Sequence, residues 1–336
     1  MRFGVFLLTG RFPGQEDADA LRRSVEAVAA AERAGFDDAW FAEHHFMPYG
    51  VCPSAVTLAA HALGRTRSIG IGTAVSVLST AHPVALAEQW AMLDAVASGR
   101  FRLGVGRGGA WQDLEVFGTG LGRYERGFEE SLDLLLRAMR GGDVQASGEH
   151  FAFREVPMVP RLESRERQPV VVACGGAESG AVGLAAARGL PMLLGMHAGD
   201  EAKRATVEKY GIPGVGHVST VLCQVADDRE TAVRQVREVL PGWLKAGFDA
   251  HVTVDGRPGP TRDPVAYTEM LCGIHPVGSP GYCVEVLGRS MRRTGVSHVI
   301  MMVEATGAPE STLANIERIG AEVLPVLRAR TRPSSP

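Results

Sequence analysis

The feature that most constrains this chain is a regular alternation of short apolar runs with longer amphipathic ones. Residues 3–8 (FGVFLL) read as a strand. Residues 17–34 read as a helix, with Leu21, Val25, Val28 and Ala29 on one face and Gly35 as its stop. The pair recurs along the chain. Strand 38–42 precedes helix 54–64, and strand 69–75 precedes helix 83–97, with Pro83 suited to a first helical turn. Strand 101–105 precedes helix 124–140, and strand 170–174 precedes helix 180–188. Strands 191–194, 218–225 and 298–303 precede helices 200–210, 228–246 and 310–328. Two stretches break the rhythm: residues 143–160 read as a hairpin excursion, and 250–280, rich in Gly, Pro and Asp, as a long loop before a helix at 281–293. Repeated strand-then-helix units with nearly continuous apolar strands imply a parallel sheet clad in helices. Eight units in 336 residues favour a closed (β/α)8 TIM barrel over an open doubly wound sheet. The expectation is one domain over residues 1–330 with a frayed tail at 331–336.

Composition excludes several classes of function. The formal net charge is -3 and no basic block or stripe occurs, which argues against a nucleic-acid surface. No apolar run approaches the roughly 20 residues that a bilayer-spanning helix needs. The N-terminal run lacks the charged and apolar regions of a signal peptide. The five cysteines, at 52, 174, 223, 272 and 283, are scattered and form no CxxC pair. Neither a disulfide framework nor a zinc knuckle is expected, and the reading is a reduced, cytoplasmic protein.

Four segments could carry chemistry. Glu43-His44-His45 follows the apolar run ending at Ala42, where a parallel barrel builds its active site. Neighbouring residues on a strand face opposite ways, so at most one of the two histidines should meet a ligand directly. Gly104-Val105-Gly106-Arg107-Gly108-Gly109 matches GxGxxG, but it follows the fourth strand and no helix starts directly after it. A dinucleotide fingerprint is therefore disfavoured. The preferred reading is a loop whose glycines let backbone approach a ligand, with Arg107 available for an anion. Residues 173–180 (ACGGAESG) open a helix with small residues, which suits a phosphate or simply a tight turn. His82, just before Pro83, reads as a polar loop residue. Glu43, His44, His45, His61 and His82 lack a metal-ligand spacing, so no metal is expected. A GxSxG nucleophile elbow is absent.

Together these segments resemble the bacterial-luciferase-like flavin-dependent monooxygenases. The matching text is FAEHHF at 41–46, VLSTAHPVALAEQ at 77–89, SGRFRLGVGRG at 98–108 and GLPMLL at 189–194. The likeness is strongest over residues 1–130 and weakest from 195 to 280. It implies a (β/α)8 barrel that takes reduced FMN at its C-terminal face and passes O2 through a C4a-peroxyflavin to a small organic substrate. A separate NAD(P)H:flavin reductase would supply the FMNH2. Carried over by position, His44 would handle the proton, with Glu43 beside it. Ala74-Val75 would be a non-prolyl cis peptide beneath the flavin ring. Arg107 would hold the phosphate, with Glu178 and Ser179 in the phosphate loop. Glu88 would lie on the helix of a homodimer, although Leu86, Trp90 and Leu93 on that helix could equally face the barrel. Phe6, Leu8 and Phe46 would keep water out. The pattern departs from the luciferases at Gly195-Met196, where those enzymes carry a serine-tryptophan pair, so a linear aldehyde substrate is not implied. Residues 255–280 correspond to the family's mobile loop. Two other readings fit the same likeness: a deazaflavin-dependent oxidoreductase and a non-catalytic flavin-binding protein.

Overall fold

The core strands are mainly apolar on both faces, and the fold uses both. A computed structural model describes residues 1–161, 170–250 and 262–330. The first units are β1 (Arg2–Leu7) with α1 (Asp17–Arg33) and β2 (Asp38–Phe41) with α2 (Ala55–Arg65). The third is β3 (Gly70–Thr73), a short β4 (Ser76–Val77) and α3 (Pro83–Val96). Then come β5 (Phe101–Gly106), α4 (Trp111–Val116), α5 (Gly120–Met139) and the antiparallel hairpin β6 (Asp143–Ser147) and β7 (Ala152–Pro157). The second half holds β8 (Val170–Cys174), α6 (Gly180–Ala187), β9 (Met192–Leu194), α7 (Asp200–Tyr210), β10 (Val218–Leu222), β11 (Gln224–Val225) and α8 (Arg229–Ala250). It ends with α9 (Pro264–Ile274), β12 (Val277–Gly278), α10 (Pro280–Thr294), β13 (His298–Met302), α11 (Pro309–Arg318) and α12 (Leu324–Ala329).

Eight parallel strands run in the order β3, β2, β1, β13, β10, β9, β8, β5, and β5 pairs back onto β3 to close the (β/α)8 barrel. Alternation along each strand divides the side chains. Phe3, Val5 and Leu7 of β1 join the cluster packed under the helices, while Phe6 joins Trp40, Val171, Leu193, Leu222, Ile300 and Met302 inside. The N-terminal end is tied by a buried polar knot. Asp38 accepts hydrogen bonds from Arg2 (2.9 Å), the Trp40 indole (2.8 Å) and His298 (2.9 Å).

The structure corrects the sequence reading in several places. Trp111–Val116, read as loop, is helix α4, and the stretch 250–280 contains the full helix α9 and strand β12. Residues 251–261 and the tail 331–336 lie outside the described residues. The last helix is not continuous: Ile319–Val323 form a π turn between α11 and α12. Pro325 explains the break, because it has no amide hydrogen to give to the turn before it.

Candidate active site

The sequence-marked segments follow β2, β3, β5 and β8, and these are consecutive staves of the closed barrel. Glu43 and His44 lie just past β2, Ala74-Val75 past β3, Arg107 past β5, and Glu178 with Ser179 past β8. The fold therefore gathers on one half of the C-terminal rim what the sequence scatters over 137 positions.

Glu43 is a bracket. Its Oε2 accepts the Ala55 N–H at the start of α2 (3.1 Å), and Oε1 accepts the Val77 N–H in β4 (3.0 Å). One carboxylate thus joins the ends of the second and third units. Oε1 is also 3.7 Å from His45 Nε2. That contact raises the pKa of His45 above the ordinary 6.5, with a further push from Asp113 of α4. Asp113 is itself buried, and burial raises its own pKa.

His44 turns the other way. Its Nε2 is 3.0 Å from the Tyr49 hydroxyl, and the two rings are 4.9 Å apart. Nδ1 is buried and has no hydrogen-bond partner. Burial lowers the pKa of His44 to about 4, so the ring is neutral at neutral pH. Two adjacent histidines thus have opposite characters, one easily protonated and one not.

The loop carrying them is lashed to the rim. His44 N–H donates to Cys52 O (2.9 Å), Val51 N–H to Thr9 O (3.1 Å) and Arg11 N–H to Tyr49 O (3.0 Å). From α8, the Trp243 indole N–H donates to the same Tyr49 carbonyl (2.8 Å), and its ring lies 5.1 Å from that of Tyr49. Phe46, expected to help exclude water, is instead 55% exposed with φ 56°, and sits 5.9 Å from the Phe117 ring. Phe6 and Leu8 do belong to the interior cluster.

The Ala74–Val75 peptide is cis. The glycines of 104–108 serve this crossing, which corrects the expectation that they make room for a ligand. A Cβ on Gly104 would lie 2.0 Å from Thr73 O, one on Gly106 2.7 Å from Val75 Cγ2, and one on Gly108 2.4 Å from Val77 Cγ1. Thr73 completes the seam: its hydroxyl donates to Gly104 O (2.8 Å) and accepts from Gly104 N (3.0 Å). Arg107 points outward, with its guanidinium 4.3 Å over the Tyr124 ring. Ser79 donates its hydroxyl hydrogen to the Arg107 carbonyl. Ser179 caps α6 by accepting from Ala181 N (3.3 Å), and Glu178 beside it is exposed.

Other residues weighed in the sequence stay outside the site. His82 caps α3, its Nδ1 accepting from Val84 N (3.3 Å), and His61 is exposed on α2. Met196 is buried and its carbonyl accepts from His275 Nε2 (2.8 Å). Among the described residues no three His, Cys, Asp or Glu side chains are placed to hold a metal ion. All five cysteines are buried free thiols. No helix of the described residues is long and apolar enough to cross a membrane. Sequence reasoning missed Tyr49, Asp113 and Trp243. Pro48-Tyr49-Gly50, a turn directly after the histidines, was the signal available for the first of them.

Known proteins identify the family and share the fold. The chain matches the luciferase-like monooxygenase family over residues 1–298. It is 30% identical to the alkanal monooxygenase alpha chain of Photorhabdus luminescens over 358 aligned positions, covering 99% of each chain. Among solved structures, the monooxygenase RslO1 of Streptomyces bottropensis superimposes with a TM-score of 0.84 at 22% identity, covering 97% of this chain and 99% of that one. The oxygenating constituent of 3,6-diketocamphane monooxygenase from Pseudomonas putida, in complex with FMN, gives 0.76 at 20%, covering 97% and 98%. F420-dependent enzymes share the fold as well.

Proposed function

Because the chain belongs to the luciferase-like monooxygenase family, we propose that it is a two-component, FMN-dependent monooxygenase. A separate NAD(P)H:flavin reductase would deliver the reduced FMN. FMNH2 supplies the two electrons with which one atom of O2 enters a small organic substrate while the other leaves as water. The observation that carries this reading is the orphaned Nδ1 of His44, buried at the end of β2 beside the other three marked strand ends.

The residues present fit the cofactor. Arg107 offers an outward guanidinium to a phosphate, a match of fork geometry to oxyanion. Next to it in the barrel, a Cβ built on Gly175, Gly176 or Gly180 would meet nothing within 4 Å, so the N-terminal amides of α6 are open to the same anion. Ala74, Val75 and Ala173 give an apolar floor for a planar ring. Phe6 and Leu8 keep the interior beneath it dry. His44 then holds a proton at its ring nitrogen, and Glu43 fixes the loop that carries it. We assign homodimerisation to the outer face of α3. Leu86, Trp90 and Leu93 are turned inward there, which leaves Glu88, Met92 (53% exposed) and Val96 (75% exposed) outside.

The test is rapid mixing of the protein with photoreduced FMN and O2. The expected result is a slower return of the oxidised-flavin spectrum than in free FMN, and a His44→Ala variant that binds FMN yet loses product. Reoxidation at the free-FMN rate, or no FMN binding, would overturn the reading and favour the deazaflavin-dependent oxidoreductase, for which F420-dependent neighbours are the specific support.

A further inference from the structure

We propose that Tyr49 is a positioning residue that fixes the tautomer of His44, so that the imidazole meets cofactor and substrate as an N–H donor at Nδ1. The inference rests on the proposed role of His44 and follows from counting hydrogen bonds. A neutral imidazole has one donor nitrogen and one acceptor nitrogen, and a phenol has one O–H. Among the described residues, the Tyr49 hydroxyl is hydrogen-bonded to one group, His44 Nε2 at 3.0 Å. If Nε2 carried the hydrogen, the phenolic O–H would have no acceptor in a part-buried setting, at the cost of an unmade bond. With the phenol donating to Nε2, the O–H and Nε2 are both satisfied, and the hydrogen sits on Nδ1 as the one donor the protein leaves for a ligand.

Two further observations concern Nδ1. It is buried and no protein group is hydrogen-bonded to it. The residue beside it is Gly50, where a Cβ would stand 2.6 Å from Nδ1, so only a glycine lets the ring sit here with that nitrogen against the loop backbone. The phenol ring itself is held by two residues of α8. Trp243 donates to the Tyr49 carbonyl at 2.8 Å and packs its ring at 5.1 Å, and is itself stacked on Phe12 at 5.4 Å. Gly247 of α8 lies under the Tyr49 ring, where a Cβ would be 3.0 Å from Cγ. Tyr49 does not act as an acid, because burial pushes its pKa up to about 12. Its part is to hold a neighbour.

The experiment is nitrogen-15 NMR of the imidazole rings in the full chain, with the His44 signal assigned by its loss in His44→Ala. Tyr49→Phe keeps the ring and removes one oxygen. The wild-type protein is expected to show His44 as the Nδ1–H tautomer. Tyr49→Phe is expected to show a mixture or the Nε2–H form. Its product yield per FMNH2 should fall roughly two- to tenfold, the population effect of one net hydrogen bond, with FMN affinity kept. An Nε2–H tautomer in the wild type, or an unaltered tautomer and yield in Tyr49→Phe, overturns the assignment of Tyr49. Full yield in His44→Ala overturns the functional reading beneath it as well, so the two failures are distinguishable.

Discussion

Replacing His44 by Gln tests the electrostatics of the site without any cofactor. Gln keeps an acceptor for the Tyr49 hydroxyl and removes the titrating group. His44 has its pKa lowered from 6.5 to about 4, chiefly by burial. Between those two values the unfolded chain binds a proton at this position and the folded chain does not. Stability therefore falls as pH falls through that window, and it is untouched above 6.5. At pH 4.5 the loss amounts to about 2.5 kcal/mol, taking about 1.36 kcal/mol for each tenfold difference in proton affinity and allowing for partial protonation of the folded state. His217 and His275, lowered to about 4 and about 3, add acid sensitivity to both proteins and cancel in the comparison. Urea unfolding of wild type and His44→Gln at about pH 7.5 and pH 4.5 reads the difference directly. Wild type should lose about 2.5 kcal/mol more than the variant on acidification. Parallel losses in the two proteins would refute the claim that His44 is held neutral.

Four other substitutions, one of them a control, test the frame around it. Glu43→Gln keeps one carbonyl oxygen for two amide donors, so one charge-assisted bond is lost, about 1.5–3 kcal/mol in denaturant unfolding. The pKa of His45 is raised in the wild type, chiefly by Glu43, so its contribution is complete below 6.5 and is lost as pH rises through the raised value; that slope should shrink in Glu43→Gln. Gly104→Ala puts a methyl 2.0 Å from Thr73 O, which no side-chain motion relieves, and should cost about 3 kcal/mol or more, or abolish soluble expression. Gly64→Ala, on α2 with open space around it, is the control and should gain up to about 1 kcal/mol. Arg107→Ala should weaken FMN binding roughly tenfold to a hundredfold by fluorescence titration, the worth of one charge-assisted hydrogen bond.

The barrel was legible because its signal is local and repeated: short, mainly apolar strand runs alternate with longer helical ones. What escaped was local structure without that signal. Trp111–Val116 is a helix of 6 residues, too short for periodicity to show. The helix Pro264–Ile274 begins with Asp263, whose side chain accepts from Val265 N, followed by Pro264, a start signal hidden by the Gly and Pro of the residues before it. The glycines at 104, 106 and 108 were read as room for a ligand because their long-range partners, Thr73, Val75 and Val77, lie about 30 positions away. Only strand pairing brings them together.

The same limit governs the two histidines. Strand alternation alone implies that His44 and His45 diverge, but it says nothing of which one is held neutral. That depends on what each meets. His45 meets the carboxylate of Glu43 and the field of Asp113, whereas His44 meets the phenol of Tyr49, which is itself backed by Trp243 of α8, almost 200 positions downstream. A neutral imidazole in a water-poor pocket can donate or accept a hydrogen bond without carrying charge into it. A protonated one would pay its desolvation at every turnover. The placement of Trp243 and Gly247 against Tyr49 therefore reaches His44 through the phenol as well as through the packing of the interior.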